Sequence, residues 1–251
     1  MQGDRIRVYW QPGCTSCLRT KEFLTRHEIA FESIDVTTTP GALDELRALG
    51  ARGLPVVALG ERYTLCQSFG DVLKFLDLRI SLDKPLPPGE LIARLDRVMS
   101  SAARYTRQFS REQLGQTFRN RNRTIAATAF HLFRVAEMFI DAAQGNELRV
   151  EGFREQPPAA WTGEDIVGFG LSVRQRLLAW WAEQEDRGLQ YTVSTYYGER
   201  KCHDVLERTA YHAAQHARQL ILMLESVGTL ADDPLTPADL VGLPVPENVW
   251  G

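Results

Sequence analysis

The sequence predicts a two-domain chain, an α/β unit followed by an all-α four-helix bundle. Three observations carry this. The first 80 residues alternate short strand-like and helical runs and hold a Cys-x-x-Cys pair, Cys14 and Cys17. A stretch rich in proline, Arg79 to Gly89, then breaks the pattern with Pro85, Pro87 and Pro88. Four long segments with apolar residues at helical spacing follow, and the last carries two histidines one turn apart.

A chain of 251 residues suits two domains. With 44% hydrophobic and 24% charged residues it has a globular composition. A net charge of -3 argues against a nucleic-acid or membrane-surface partner. No apolar run approaches the roughly 20 residues that span a bilayer. Met1-Gln-Gly-Asp-Arg5 leads straight into a strand-like run with no secretion-signal pattern, so the cytoplasm is expected. In that setting four cysteines with one CxxC point to redox or metal chemistry rather than a disulfide framework.

Residues 1–80 read in order as βαβα and then ββα. Arg5 to Trp10 is a strand. Gln11-Pro12-Gly13 turns the chain, and Cys14-Thr-Ser-Cys17 opens a helix to about Arg26. A thiol at a helix N-terminus faces the positive end of the dipole, which favours its thiolate. Cys14 is therefore the expected nucleophile. Cys17, one turn in and more buried, is the expected resolving thiol. Phe31 to Asp35 is a second strand and Pro40 to Leu49 a second helix. Val56 to Leu59 and Arg62 to Cys66 form a hairpin, and Phe69 to Leu78 closes the unit. The other readings of the CxxC are half of a zinc site, for which no second CxxC exists, and an inactive relative of a redox domain. Cys66 reads as a buried small residue, and His27 as a helix C-terminal residue.

In this order of elements, Cys14-Thr-Ser-Cys17, Leu54-Pro55-Val56 and Cys66-Gln-Ser-Phe-Gly-Asp71 resemble the glutaredoxin branch of the thioredoxin-like superfamily. The resemblance implies a cis bond before Pro55 and a groove for glutathione along Leu54, Pro55 and Val56. In it Val56 would pair with the peptide backbone, and the turn at Gln67 and Ser68 would hold the γ-glutamyl end. Two positions depart from the pattern. The Gly-Gly before the last helix is absent, and neutral Gln11 stands where a basic residue often precedes the CxxC.

Residues 81–89 are the expected linker, 90–230 the bundle and 231–251 a tail. The first bundle helix is Glu90 to Phe109, with Leu91, Leu95, Val98, Ala102 and Tyr105 as its stripe. The second, Thr124 to Ala143, is apolar on most sides and should be central. The third, Glu164 to Glu185, has Thr162 as N-cap and a stripe through Ile166, Phe169, Val173, Leu177 and Trp181. The fourth runs from Glu199 to Val227. Leu189 to Val193 is a short extended piece before it.

On the fourth helix Val205, Thr209, His212, His216, Leu220, Met223 and Val227 trace one face. His212 and His216 can therefore reach one point, and bundles build metal sites from such inward residues. His131, among apolar neighbours on the second helix, is a third candidate, because a buried imidazole needs partners. The alternative for all three is a core histidine bonded to backbone. His203 lies about half a revolution from His212, and Cys202 lies too far along the axis to share the point. Tyr211 and Gln215 flank the candidate ligands. Arg119-Asn-Arg-Asn-Arg123 reads chiefly as a solvated loop; the alternative is a partner for carboxylates of a thiol or an acidic substrate. HExxH is absent, which excludes that protease class.

His131 followed by His212-Ala-Ala-Gln-His216-Ala-Arg-Gln-Leu220, with the tail Asp239 to Trp250, is similar to the DinB-like (YfiT-like) family of metal-binding four-helix bundles. The resemblance implies that His131, His212 and His216 hold a divalent metal (zinc, nickel or iron) with open positions. It includes thiol-dependent S-transferases and an isomerase that uses low-molecular-weight thiols.

Together the two resemblances imply a thiol-dependent transferase or oxidoreductase. Glutathione or another small thiol would be its cofactor, and an electrophile or disulfide its substrate. The rivals are a non-catalytic redox- or metal-responsive binding protein, and a simple disulfide reductase with a structural bundle. Oligomeric state is left open, a two-fold homodimer being the commonest arrangement.

Overall fold

The computed structural model describes residues 5–251. The chain divides into two compact units, one of residues 1–84 with 246–251 and the other of residues 85–245. The tail expected over 231–251 is therefore shared between them, its last six residues belonging to the first unit. There Glu22 accepts hydrogen bonds from the amides of Glu247 and Asn248 at 2.7 and 2.9 Å.

The first unit runs β1 (Ile6–Trp10), α1 (Thr15–Arg26), β2 (Glu32–Asp35), α2 (Ala42–Ala48), β3 (Val56–Leu59), β4 (Arg62–Leu65) and α3 (Phe69–Leu76). Its sheet has the order β2-β1-β3-β4, with β1 and β2 parallel and the other pairs antiparallel. Strand alternation sends neighbouring side chains to opposite faces. Val8 and Val57 pack with Phe23, Leu24, Val72 and Leu73 from α1 and α3. Tyr9, Val56 and Ala58 pack on the other face with Ala42 and Leu46 of α2. This is the thioredoxin-like arrangement, and the Leu54–Pro55 bond is cis.

The second unit contains α4 (Pro88–Gln108), α5 (Arg111–Leu114), β5 (Thr117–Phe118), β6 (Arg121–Thr124), α6 (Ile125–Ala143), a 3-10 turn at Val150–Arg154, α7 (Gly163–Ala182), β7 (Thr192–Val193), β8 (Arg200–Lys201), α8 (Cys202–Ser226) and α9 (Pro237–Leu240). Helices α4 and α6 each pack chiefly against α7 and α8, so the four long helices form a bundle in which α4 and α6 are diagonal. Helix α4 begins two residues before the expected start, because proline is well placed in a first turn, where its missing N–H costs nothing. Thr162 caps α7 and forms a capping box with Asp165. Helix α8 starts later than expected because Arg200 and Lys201 pair with Val193 and Thr192.

Close approach of α6 and α7 depends on Gly170. A Cβ there would lie 2.6 Å from ring atoms of Phe133, which is fully buried. Gly170→Ala should therefore destabilise the protein by about 1–3 kcal/mol through overpacking. Gly168 faces open space, so Gly168→Ala should be neutral or stabilising by up to about 1 kcal/mol. Urea unfolding midpoints of the two variants check the pair. Equal midpoints would mean that Phe133 yields freely.

Candidate functional site

In the first unit the turn before α1 sets the cysteines. Gly13 has φ 64°, a conformation that needs no Cβ. It brings Cys14 to the N-cap of α1, where the Cys17 amide donates to Cys14 Sγ at 3.3 Å. Cys14 and Cys17 are joined as a disulfide with Cα atoms 5.2 Å apart. Cys14 is partly exposed, whereas Cys17 is fully buried.

The expected thiol-binding residues are differently disposed. Val56 is buried in a central strand, opposite Tyr9 on one side and Leu65 on the other, so it offers no sheet edge to a peptide. This corrects its expected pairing with glutathione. Gln67 is buried, and its Nε2 donates to the Leu54 carbonyl at 2.9 Å, bracing the loop that ends in Pro55. Ser68 Oγ accepts from the Gly70 amide and caps α3. Both side chains thus serve the fold around the CxxC. Cys66 is buried, and burial pushes its thiol up to about 12, which keeps it protonated and inert.

In the second unit α6 and α8 bring three histidines together. His212 Nε2 lies 3.2 Å from His131 Nε2 and 3.1 Å from His216 Nε2. All three side chains are buried, and one nitrogen from each falls within a span of 4.8 Å. Burial, joined by the charges of Arg121 and Arg123, holds His131 and His216 below the usual imidazole range, His216 at about 3. His212 is lowered by burial, and beyond that by His216 and the same arginines with Arg208. The imidazoles are therefore neutral, as metal ligands must be.

Gln219 Oε1 lies 2.7 Å from His216 Nδ1. An amide oxygen only accepts, so the proton sits on Nδ1 and the Nε2 lone pair faces His212. His212 Nε2 cannot both donate to one neighbour and accept from the other. With that tautomer His212 Nε2–H can donate linearly to only one of its two neighbours, and Nδ1 of His131 and of His212 is buried without a hydrogen-bond partner. A cation shared by the Nε2 atoms removes the conflict. Ligands bound at about 2.0–2.1 Å with near-tetrahedral angles are themselves separated by about 3.1–3.4 Å. Two of the three separations match this and the third is no more than 4.8 Å, so the residues present are compatible with a divalent ion.

Around the triad stand groups that sequence reasoning passed over. Arg208 is one turn before His212, and Gln219 is three residues after His216, so helical spacing was the available signal for both. Phe153, from the 3-10 turn, lies with its ring 6.0 Å from His131 and 6.1 Å from His212. The stretch 119–123 is not a solvated loop. It forms the turn and second strand of the β5–β6 hairpin, with Arg119 at φ 51°. Strand alternation exposes Asn122 and turns Arg121 and Arg123 inward. His203 bonds to the Leu86 carbonyl at 2.8 Å, away from the triad. Cys202 is buried against the Tyr191 hydroxyl at 3.3 Å, its thiol raised to about 11 by burial.

Comparison with known proteins agrees with this division. A glutaredoxin family model matches residues 6–64, and a DinB superfamily model matches residues 94–220. The chain belongs to the DinB superfamily and carries a glutaredoxin domain ahead of it. Glutaredoxin-like protein NrdH of Escherichia coli K12 is 40% identical over 57 residues, 23% of this chain and 70% of that protein. Glutaredoxin-like protein NrdH of Lactococcus lactis IL1403 is 33% identical over 52 residues, 21% of this chain and 72% of the relative. Gene 56 protein of Mycobacterium phage L5 is 42% identical over 53 residues, 21% of this chain and 52% of that protein. The glutaredoxin domain is thus an NrdH-type thiol redox domain with Cys14 and Cys17 as its pair. Among the described residues, no helix is long and apolar enough to cross a membrane.

Proposed function

We propose that the protein is a metal- and thiol-dependent transferase or oxidoreductase acting on small electrophiles or disulfides. The observation that carries this reading is the convergence of three buried imidazole nitrogens, on a chain that also holds a redox dithiol. His131, His212 and His216 would hold a divalent ion; three nitrogen donors suit zinc, nickel or iron. When bound, such an ion stabilises a small thiol as its thiolate and polarises an electrophile. Gln219 fixes the tautomer of His216, and burial excludes the protons that would compete for the nitrogens.

In the glutaredoxin domain the reduced Cys14 thiolate attacks one sulfur of a disulfide R–S–S–R′. It forms the mixed disulfide Cys14–S–S–R and releases R′–S⁻. The Cys17 thiolate then attacks Cys14 Sγ, closes the Cys14–Cys17 disulfide and releases R–S⁻. Two electrons pass from the dithiol to the substrate, and an external dithiol restores the pair. The thiol used is a low-molecular-weight one. Glutathione is one candidate among these, because the expected contact at Val56 is not available. A reducing cytoplasm is the setting in which this cycle turns over.

The test is consumption of the model electrophile 1-chloro-2,4-dinitrobenzene by the full chain with cysteine or glutathione, before and after chelation, alongside reduction of 2-hydroxyethyl disulfide. Thiol-dependent, saturable electrophile consumption lost on chelation supports the reading. Disulfide reduction indifferent to chelation, with no electrophile consumed, would leave a plain disulfide reductase.

A further inference from the structure

Within the first unit the segment 246–251 lies along one face of α1. Glu22 takes three hydrogen bonds from it. Oε2 accepts from the Glu247 amide at 2.7 Å, and Oε1 accepts from the amide and from Nδ2 of Asn248, both at 2.9 Å. Arg26 Nη2 donates to Glu247 Oε1 at 2.5 Å. At the far end of the segment a Cβ on Gly251 would lie 2.8 Å from Leu18 Cδ1, so the backbone there rests directly on Leu18, which is 8% exposed. The contacts are ordered: Glu247 meets Arg26 and Glu22, Asn248 meets Glu22, and Gly251 meets Leu18. The segment therefore runs antiparallel to the helix, toward its N-terminus. Leu18, Glu22 and Arg26 are four residues apart and share a helix face. The next position on that row is Cys14, whose carbonyl accepts from the Leu18 amide at 3.1 Å.

A helical turn rises about 5.4 Å, so Gly251 is seated on the turn next to the nucleophile. That distance governs what can reach Cys14. A protein that presents a disulfide covers on the order of 500 Å² of its partner even in a transient complex, a patch roughly 13 Å in radius. Such a patch centred on Cys14 takes in Leu18 and the segment resting on it. A small disulfide needs only the partly exposed sulfur. We propose that the segment 246–251 is a strap that sets the substrate class at the CxxC: it leaves small disulfides their approach to Cys14 and holds protein disulfides off. Glu22 fastens the strap, because its carboxylate binds two successive backbone amides, and such charge-assisted bonds are roughly twice as strong as neutral ones. The pair of Arg26 with Glu247 is exposed and adds little. This deepens the reading of Cys14 as the attacking thiol and rests on it.

The experiment compares the full chain, a chain lacking 246–251 and the Glu22→Ala variant as reductants of two disulfides, insulin and 2-hydroxyethyl disulfide. Dithiothreitol is the external dithiol, and its own rate is subtracted. A strap seated in about nine molecules of ten leaves about one in ten competent for a large partner. Insulin reduction should therefore rise about tenfold without the segment and at least about threefold in Glu22→Ala, while reduction of 2-hydroxyethyl disulfide changes less than about twofold. Circular dichroism checks that each protein is folded. Glu22→Ala, which alters one partly exposed side chain, decides the matter if the shortened chain does not fold. An insulin rate that rises no more than the 2-hydroxyethyl disulfide rate in a folded variant would overturn the inference and leave Cys14 as the nucleophile. Reduction of neither disulfide by the full chain or the variants would overturn the redox reading, and the inference with it.

Discussion

His212→Ala should remove metal from the bundle. The native protein, expressed and purified without chelator, is expected to carry one equivalent of a divalent ion, and the variant close to none. His212 supplies the central nitrogen, within 3.2 Å of His131 Nε2 and 3.1 Å of His216 Nε2. Its removal leaves two nitrogens that no longer share a neighbour. Loss of residues that merely orient a ligand typically costs 10–100-fold in affinity, so loss of a ligand should exceed about 100-fold. Gln219→Leu gives the graded comparison: it leaves all three ligands but frees the His216 tautomer, and should fall within that roughly 10–100-fold range. The same site should show in stability. An ion present at about 100 times its dissociation constant stabilises the folded state by about 2.7 kcal/mol. Chelation should therefore lower the melting temperature of the native protein and leave that of His212→Ala unmoved. Elemental analysis and thermal unfolding read both effects. Equal metal content in the native protein and His212→Ala would return the three histidines to the role of core residues.

The second large effect is expected at the CxxC. Cys14→Ser should abolish reduction of 2-hydroxyethyl disulfide, a loss greater than about 100-fold, because the thiolate and not the hydroxyl is the nucleophile at neutral pH. Cys17→Ser should behave differently. Cys14, partly exposed at the helix N-cap, keeps its attack, so the variant should accumulate a mixed disulfide with half of the substrate, visible by mass spectrometry of the intact protein. The asymmetry follows from burial: Cys17 is fully covered, so it reaches only the sulfur already attached to Cys14. An adduct on Cys17 in the Cys14→Ser variant would reverse the assignment. Cys66 and Cys202 should stay unmodified in both, since burial holds their thiols protonated.

These expectations trace back to signals of different reach along the chain. Cys14 at the start of α1, Thr162 at the start of α7 and the pair His212 and His216 on one face of α8 were legible as sequence. Each depends on backbone hydrogen bonding or spacing within about one helical turn. The βαβα-ββα order was legible for the same reason, as successive changes of local period. Of the two small hairpins only one strand was, β7 inside the extended piece at Leu189 to Val193. Strands of two to four residues, such as Thr117–Phe118 with Arg121–Thr124, are too short to display a period, and their pairing is visible only once the chain has turned back.

The meeting of His131 with His212, 81 residues later, follows from the packing of α6 on α8. The inward turn of Arg121 and Arg123 follows from a hairpin that the sequence reading took for loop. The failure of Val56 as an edge follows from its place between β1 and β4. Local pattern thus named the candidate nucleophile and all three candidate ligands, because neighbours along the chain control helix starts, helix faces and the apolar setting of His131. The meeting of the third histidine with the other two, the arginine border and the loss of the peptide edge came from contacts between elements far apart in sequence. Burial and the closure of the chain on itself govern such contacts, and no short window of residues contains them.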